Sequence, residues 1–179
     1  MPRIPPLGEH PADPAARALL DQQRNAHGRT TNMKRTLAHS PVALDALMRW
    51  YDLHAEVVGF LGTRATTLFV HAISVQTDCL ICSTFFRRWL AEAGDDPDAP
   101  RLDERERALV EYGRLLARDA NGVSDELFAR LRSFLEPDQV VTLTALGGLM
   151  IATNVFNNAL AVDLDEYLYP YRKPEAPGV

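Results

Sequence analysis

Along most of the chain, apolar residues recur every three or four positions, and short polar or proline-rich joints separate the runs; that period belongs to α-helices. Asp13-Pro14 opens a first short helical stretch with Ala18, Leu19 and Leu20 as its apolar contacts, and Asn25 to Lys34, polar and holding Gly28, reads as a loop. Ser40-Pro41 combines a capping hydroxyl with proline at the first helical position. It predicts a helix through Leu44, Leu47, Met48, Tyr51 and Leu53 that ends near Gly59 or Gly62. From Thr63 a further helix is predicted, with Leu68, Phe69, Ala72, Ile73 and Val75 as apolar members; being nearly free of polar residues, it should be buried. Next comes a stripe of Cys79, Cys82, Phe85, Phe86, Trp89 and Leu90, with Thr77-Asp78 as its cap and Gly94 and Pro97 as its end. Residues 95–100 form a linker. Asp103 then starts a helix carrying Leu109, Val110, Leu115 and Leu116, which Asn121-Gly122 stops. Ser124 caps a short helix through Leu135, and Pro137 starts the last long one, ending near Ala161. Gly147 and Gly148 in that helix would allow close packing. No segment alternates long enough to predict a strand; the β-branched run TTLFVHAISV is read as helix from its length and its place between helices. The expected fold is all-α.

Length changes this picture little: 179 residues suffice for one domain with a real core. A net charge of −5 excludes a general nucleic-acid binder, which needs a basic face, and argues against an anionic membrane surface. The apolar run 143–152 is interrupted by Thr144, Gly147 and Gly148, so no membrane-crossing helix is predicted. Residues 1–7, MPRIPPL, lack the apolar core of a signal peptide, and a cytoplasmic location is the expectation. The alternating charges Glu104, Arg105, Glu106 and Arg107 read as a solvated first turn.

Chemistry enters with the two cysteines of the chain, Cys79 and Cys82. Three positions apart, they share one side of a helical turn. If Asp78 is the cap, both thiols sit in the first turn, where backbone N–H groups favour thiolates, Cys79 most. A disulfide closed over so short a loop strains easily and cycles readily. The pair is therefore a candidate dithiol redox centre. Two inert buried thiols remain open as a reading, and zinc is disfavoured because no second ligand pair exists. No cofactor and no metal is expected.

Four segments resemble one known superfamily: NMKRTLAHSPVALDALM (32–48), FVHAISVQTDCLICSTF (69–85), the helix start LDERE (102–106) and ATNVFNNALAVDLDEYL (152–168). They are similar to the alkylhydroperoxidase D-like (AhpD-like), peroxidase-related branch of the carboxymuconolactone decarboxylase superfamily. The resemblance spans residues 33–168, with 1–32 as an N-terminal extension and short helix and 169–179 as a Pro-rich tail. It implies an all-helical, AhpD-like bundle that assembles into homo-oligomers. It also implies an antioxidant activity: a small hydroperoxide or disulfide substrate, Cys82 attacking, Cys79 resolving, and a dithiol partner that re-reduces the pair. The family motif continues to a His four residues after the second Cys and has a Glu twelve before the first; here those positions hold Phe86 and Thr67. His71, one turn beyond Thr67, is the candidate replacement as base or relay, with a core histidine paired to Ser74 or a backbone carbonyl as the alternative. His54 is read as more peripheral. Phe85, Phe86 and Trp89 read as core or interface aromatics that make the dithiol's surroundings apolar, and Asn154, Asn157 and Asn158 either face the site or bridge subunits. Two other functions stay open: a non-catalytic AhpD-like oligomer that has lost its proton relay, and a carboxymuconolactone-type decarboxylase.

Overall fold

The structure, a computed structural model, describes residues 1–173, and these residues form helices and turns without a strand. Local capping sets most boundaries. The Asp13 carboxylate accepts the Ala15 and Ala16 N–H groups, with Pro14 behind it, and starts α1 (Pro14–His27). Gly28, in the left-handed region at φ 76°, closes it with a 2.8 Å bond to the Arg24 carbonyl. The loop predicted over 25–34 is thus shorter than expected. Inside it begins an additional helix, α2 (Asn32–Leu37), capped by the Thr31 hydroxyl, which accepts the Lys34 N–H. Six residues are too few to show a period, which is why the pattern reads as a loop.

The single helix predicted from Pro41 is two, α3 (Pro41–Met48) and α4 (Trp50–Leu61), joined at Arg49. The break serves two cores. Leu44 and Met48 bury with Ala16, Leu20, Leu37 and Ala38 of the N-terminal helices, whereas Trp50 and Val57 belong to the main core. There follow α5 (Thr63–Gln76), α6 (Leu80–Glu92), α7 (Glu104–Asp119), α8 (Asp125–Arg132) and α9 (Pro137–Leu160), then a 3-10 turn at Glu166–Tyr171. Residues 174–179 of the expected tail lie outside the described residues.

α5 is the buried central helix, packed by α4, α6, α7 and α9. Two glycines let its neighbours approach. A methyl at Gly113 of α7 would lie 2.9 Å from the Phe69 carbonyl oxygen, and one at Gly147 of α9 would lie 2.8 Å from Leu116 and 3.1 Å from Phe69. Gly148, paired with Gly147 in the sequence reading, faces open space. Glu106 also departs from expectation. It is buried, closes a capping box with Asp103, and pairs with Arg64 of α5, whose guanidinium also grips Asp95 at 2.8 Å. Arg64 thereby ties α5 to the loop between α6 and α7. α9 is long and apolar enough to cross a membrane, contrary to the sequence reading. Here its apolar length packs on α4 and α5, with Leu143, Leu146 and Met150 in the core.

Candidate functional site

The turn between α5 and α6 positions both cysteines. Asp78, expected as the helix cap, instead takes a left-handed conformation at φ 51° and makes no cap. Three contacts hold it there. The Asn154 amide donates to the Thr77 hydroxyl at 2.8 Å, the Asn158 amide donates to the Thr77 carbonyl at 2.8 Å, and the Cys79 N–H reaches the Ser74 carbonyl at 3.0 Å. The capping position falls one residue later, on Cys79.

Cys79 therefore presents sulfur where a capping hydroxyl usually stands. The Cys82 thiol and the Cys82 and Ile81 backbone N–H groups converge on it and pull its pKa below the usual thiol value, against its burial. Cys82, one turn on, is pushed the other way, because its S–H donates to Cys79 and it too is buried. Both are free thiols. The side chain of Asn157 joins them: its amide nitrogen lies 3.3 Å from Cys82 Sγ, 3.9 Å from Cys79 Sγ and 3.5 Å from Met33 Sδ. Its Oδ1 is buried without a partner. The three asparagines of α9, left between site and interface by sequence reasoning, thus brace the cysteine turn from within one chain.

The two thiols differ in access. Cys79 is fully buried, while Cys82 keeps 6% of its surface and lines a cavity of about 80 Å³. The walls are apolar: Met48, Trp50, Phe85, Phe86, Met150 and Leu168. Phe85 and Phe86, read as core aromatics, are part of this wall, and Trp89 stands behind them, 4.8 Å from Phe85 between ring centres. Thr31, Lys34, Tyr51, Thr153, Asp165 and Tyr167 supply the polar part of the lining.

Lys34 is the residue that sequence reasoning missed. It is 2% exposed, its ammonium sits 5.0 Å from the Tyr51 ring centre, and no carboxylate lies within ion-pairing distance among the described residues. Burial pushes its pKa down to about 8. Burial likewise raises Tyr51 to about 12 and lifts Asp165 above the usual carboxylate value, although Asp165 accepts the Asn32 N–H at 2.9 Å. One signal for Lys34 existed: Lys34 and Lys173 are the only lysines in a chain with seventeen arginines.

His71 is not brought to the thiols. It lines a second cavity, of about 530 Å³, with Arg87, Asp98 and Arg114. α6 divides the two cavities: Ile81, Cys82, Phe85 and Phe86 face the first, Leu80, Ser83, Thr84 and Arg87 the second. Burial and the neighbouring Arg87 push the His71 imidazole down to about 4. Ser74, its suggested partner, instead donates to the Val70 carbonyl at 2.8 Å. His54 stacks on Trp50 at 4.5 Å, leaves its Nε2 buried without a partner, and is pushed down to about 4 by burial. Thr67 donates to the Thr63 carbonyl inside its own helix. Among the described residues, no three His, Cys, Asp or Glu side chains converge as a metal site would require.

Comparison with models of known protein families finds no match, and neither does comparison with curated proteins. Solved structures do match. An uncharacterized peroxidase-related protein from Silicibacter sp. TM1040 superposes with a TM-score of 0.72 at 19% identity, over 96% of this chain and 98% of that one. A peroxidase-related protein with an alkylhydroperoxidase AhpD core, from Ralstonia eutropha JMP134, gives a TM-score of 0.69 at 16% identity, over 95% and 99%. The debrominase Bmp8 gives a TM-score of 0.75 at 14% identity, over 94% and 95%. At such identities the likeness concerns architecture and leaves chemistry to the residues themselves. The chain has the all-helical AhpD-like fold shared by these peroxidase-related proteins.

Proposed function

We propose that the protein is a thiol-dependent oxidoreductase in which Cys82 attacks a small organic hydroperoxide or disulfide and Cys79 resolves the product. The observation that carries this reading is the placement of Cys82: it lines an apolar cavity, with Cys79 at the N-cap position of the same helix and one amide, Asn157, addressing both sulfurs. With a hydroperoxide, the Cys82 sulfur takes the terminal oxygen and becomes a sulfenic acid while the O–O bond breaks and the alcohol leaves. Cys79 then displaces water and forms the disulfide. A dithiol partner restores the two thiols and completes the cycle. Cys79 is the more acidic thiol but is sealed, so access rather than acidity assigns the attack to Cys82, the order the family resemblance implies. Homo-oligomerisation and a cytoplasmic setting belong to the same proposal; Val75 and Leu80, exposed beside the second cavity, are candidate contact residues.

Thr67 and Phe86 favour a second reading, a helical relative without catalysis. Rapid mixing with cumene hydroperoxide separates the two. The redox reading expects oxidation of the protein thiols faster than of free glutathione, abolished in C82S and stalled at sulfenic acid in C79S. Equal rates in wild type and C82S would end it.

A further inference from the structure

Removal of the family's Glu and His leaves a question of proton transfer. Two neutral thiols in an apolar wall do not react, because the thiolate is the nucleophile. The chain's own titratable groups around the cavity are few. Tyr51 on α4 and Tyr167 after α9 hold their protons at neutral pH, since burial raises both. Asp165 accepts the Asn32 N–H with one oxygen while its other is buried without a partner, but a carboxylate that takes a thiol's proton becomes neutral and leaves the thiolate with no opposite charge. His27 on α1 stacks on Tyr51 and does not line the cavity. His71 and His54 face elsewhere. The group that can both take a proton and leave a positive charge in the cavity with the thiolate is the Lys34 amine, which shares the cavity with Cys82 and has no carboxylate to hold it.

Building on the redox reading of this cavity, we infer that Lys34 is the site's proton exchanger: it takes one proton from the Cys79–Cys82 pair and returns it to the leaving alkoxide. The choice of lysine fits the task. A buried ammonium gives up its proton readily, whereas a guanidinium does not. Each step balances. In the reactive state at neutral pH Lys34 is the ammonium and the pair has given up one proton, leaving one thiolate and one thiol whose proton bridges Cys82 and Cys79. When Cys82 attacks the hydroperoxide, its proton passes to Cys79, the hydroxyl stays on Cys82 as sulfenic acid, and the alkoxide takes its proton from the Lys34 ammonium. Cys79 and the sulfenic acid then condense to a disulfide and water, and Lys34, left as the amine, takes its proton back from the re-reduced pair. The ammonium also supplies the positive charge that the lone thiolate lacks in an apolar wall.

Two measurements test this. Iodoacetamide alkylation of the native protein, followed against pH in wild type, K34M and C82S, reads thiolate directly. K34M keeps the buried stem, and its fold is checked by circular dichroism. The expected result is at least a tenfold slower alkylation of K34M at pH 7, with its midpoint moved up by one pH unit or more, as loss of an opposite charge from the same apolar cavity requires. In parallel, reductive ¹³C-methylation labels Lys34 and Lys173, and NMR follows both against pH in wild type and in C79S/C82S. Because the coupling is reciprocal, removing the thiols should lower the Lys34 midpoint and leave exposed Lys173 unmoved. An unchanged alkylation profile in K34M, or a Lys34 midpoint blind to the thiols, overturns the inference while leaving the redox reading intact. Peroxide reactivity that survives C82S overturns the redox reading itself.

Discussion

Burying Lys34 has a consequence for stability that can be worked out from its surroundings. Its amine falls from 10.5 in the unfolded chain to about 8 in the folded one, with desolvation as the cause. Below about pH 8 the lysine is charged in both states, and the folded state carries the whole penalty. At about 1.4 kcal/mol per pH unit this is about 3 kcal/mol. Between 8 and 10.5 the unfolded chain binds more protons than the folded one, so stability rises with pH and the penalty fades. K34M removes the charge while keeping the apolar stem. It also loses the contact of the ammonium with the Tyr51 ring, worth about 1 kcal/mol. The net expectation is a gain of about 2 kcal/mol at pH 7, or a Tm raised by roughly 4–8 °C for a chain of this size. Urea unfolding of C79S/C82S with and without K34M, from pH 6 to 10.5, measures it without interference from thiol ionisation. The gain should shrink steadily above pH 8. A K34M protein less stable than its parent at pH 7, or a gain independent of pH, would refute the claim that an uncompensated ammonium is buried there. A stability penalty of this kind is what a functional group held in an unfavourable setting brings.

Further expectations follow from other parts of the site and fold. Asn157→Leu removes the donor that faces both sulfurs, and Asn157→Asp places a carboxylate there; both should slow native-state alkylation at pH 7, the aspartate variant more, because an anion beside a thiol opposes thiolate formation. His71→Ala should leave the alkylation profile unchanged, since α6 separates it from the thiols; a shift of half a pH unit or more would contradict the placement. Gly113→Ala forces a methyl against the Phe69 carbonyl and should lower stability by about 1–2 kcal/mol in urea unfolding, whereas Gly148→Ala, facing open space, should raise it by up to about 1 kcal/mol.

The helical architecture was legible because capping residues announced it: Ser40-Pro41, Asp103, Ser124 and Pro137 each start a helix where the side chain suggests. What escaped was set by tertiary packing. The break at Arg49 exists because two apolar clusters compete for one helical stretch, and α2 is too short to declare a period. The cysteine pair was legible as spacing, but its cap was misplaced by one residue, since the left-handed Asp78 depends on asparagines some eighty positions later in the sequence. His71 was selected as the nearest base along the chain. Lys34, further away in sequence, is the one the fold brings to the cavity, and only its rarity among seventeen arginines hinted at it.

The central claim is that Cys82, opening on the cavity, and Cys79, at the N-cap position of its helix, act as one redox couple. Disulfide mapping by mass spectrometry after brief exposure of the reduced native protein to one equivalent of cumene hydroperoxide addresses it directly. The account predicts a single intramolecular Cys79–Cys82 bond, formed in wild type and reversed by dithiothreitol. Two thiols still free after exposure, or oxidation confined to methionines, would contradict it.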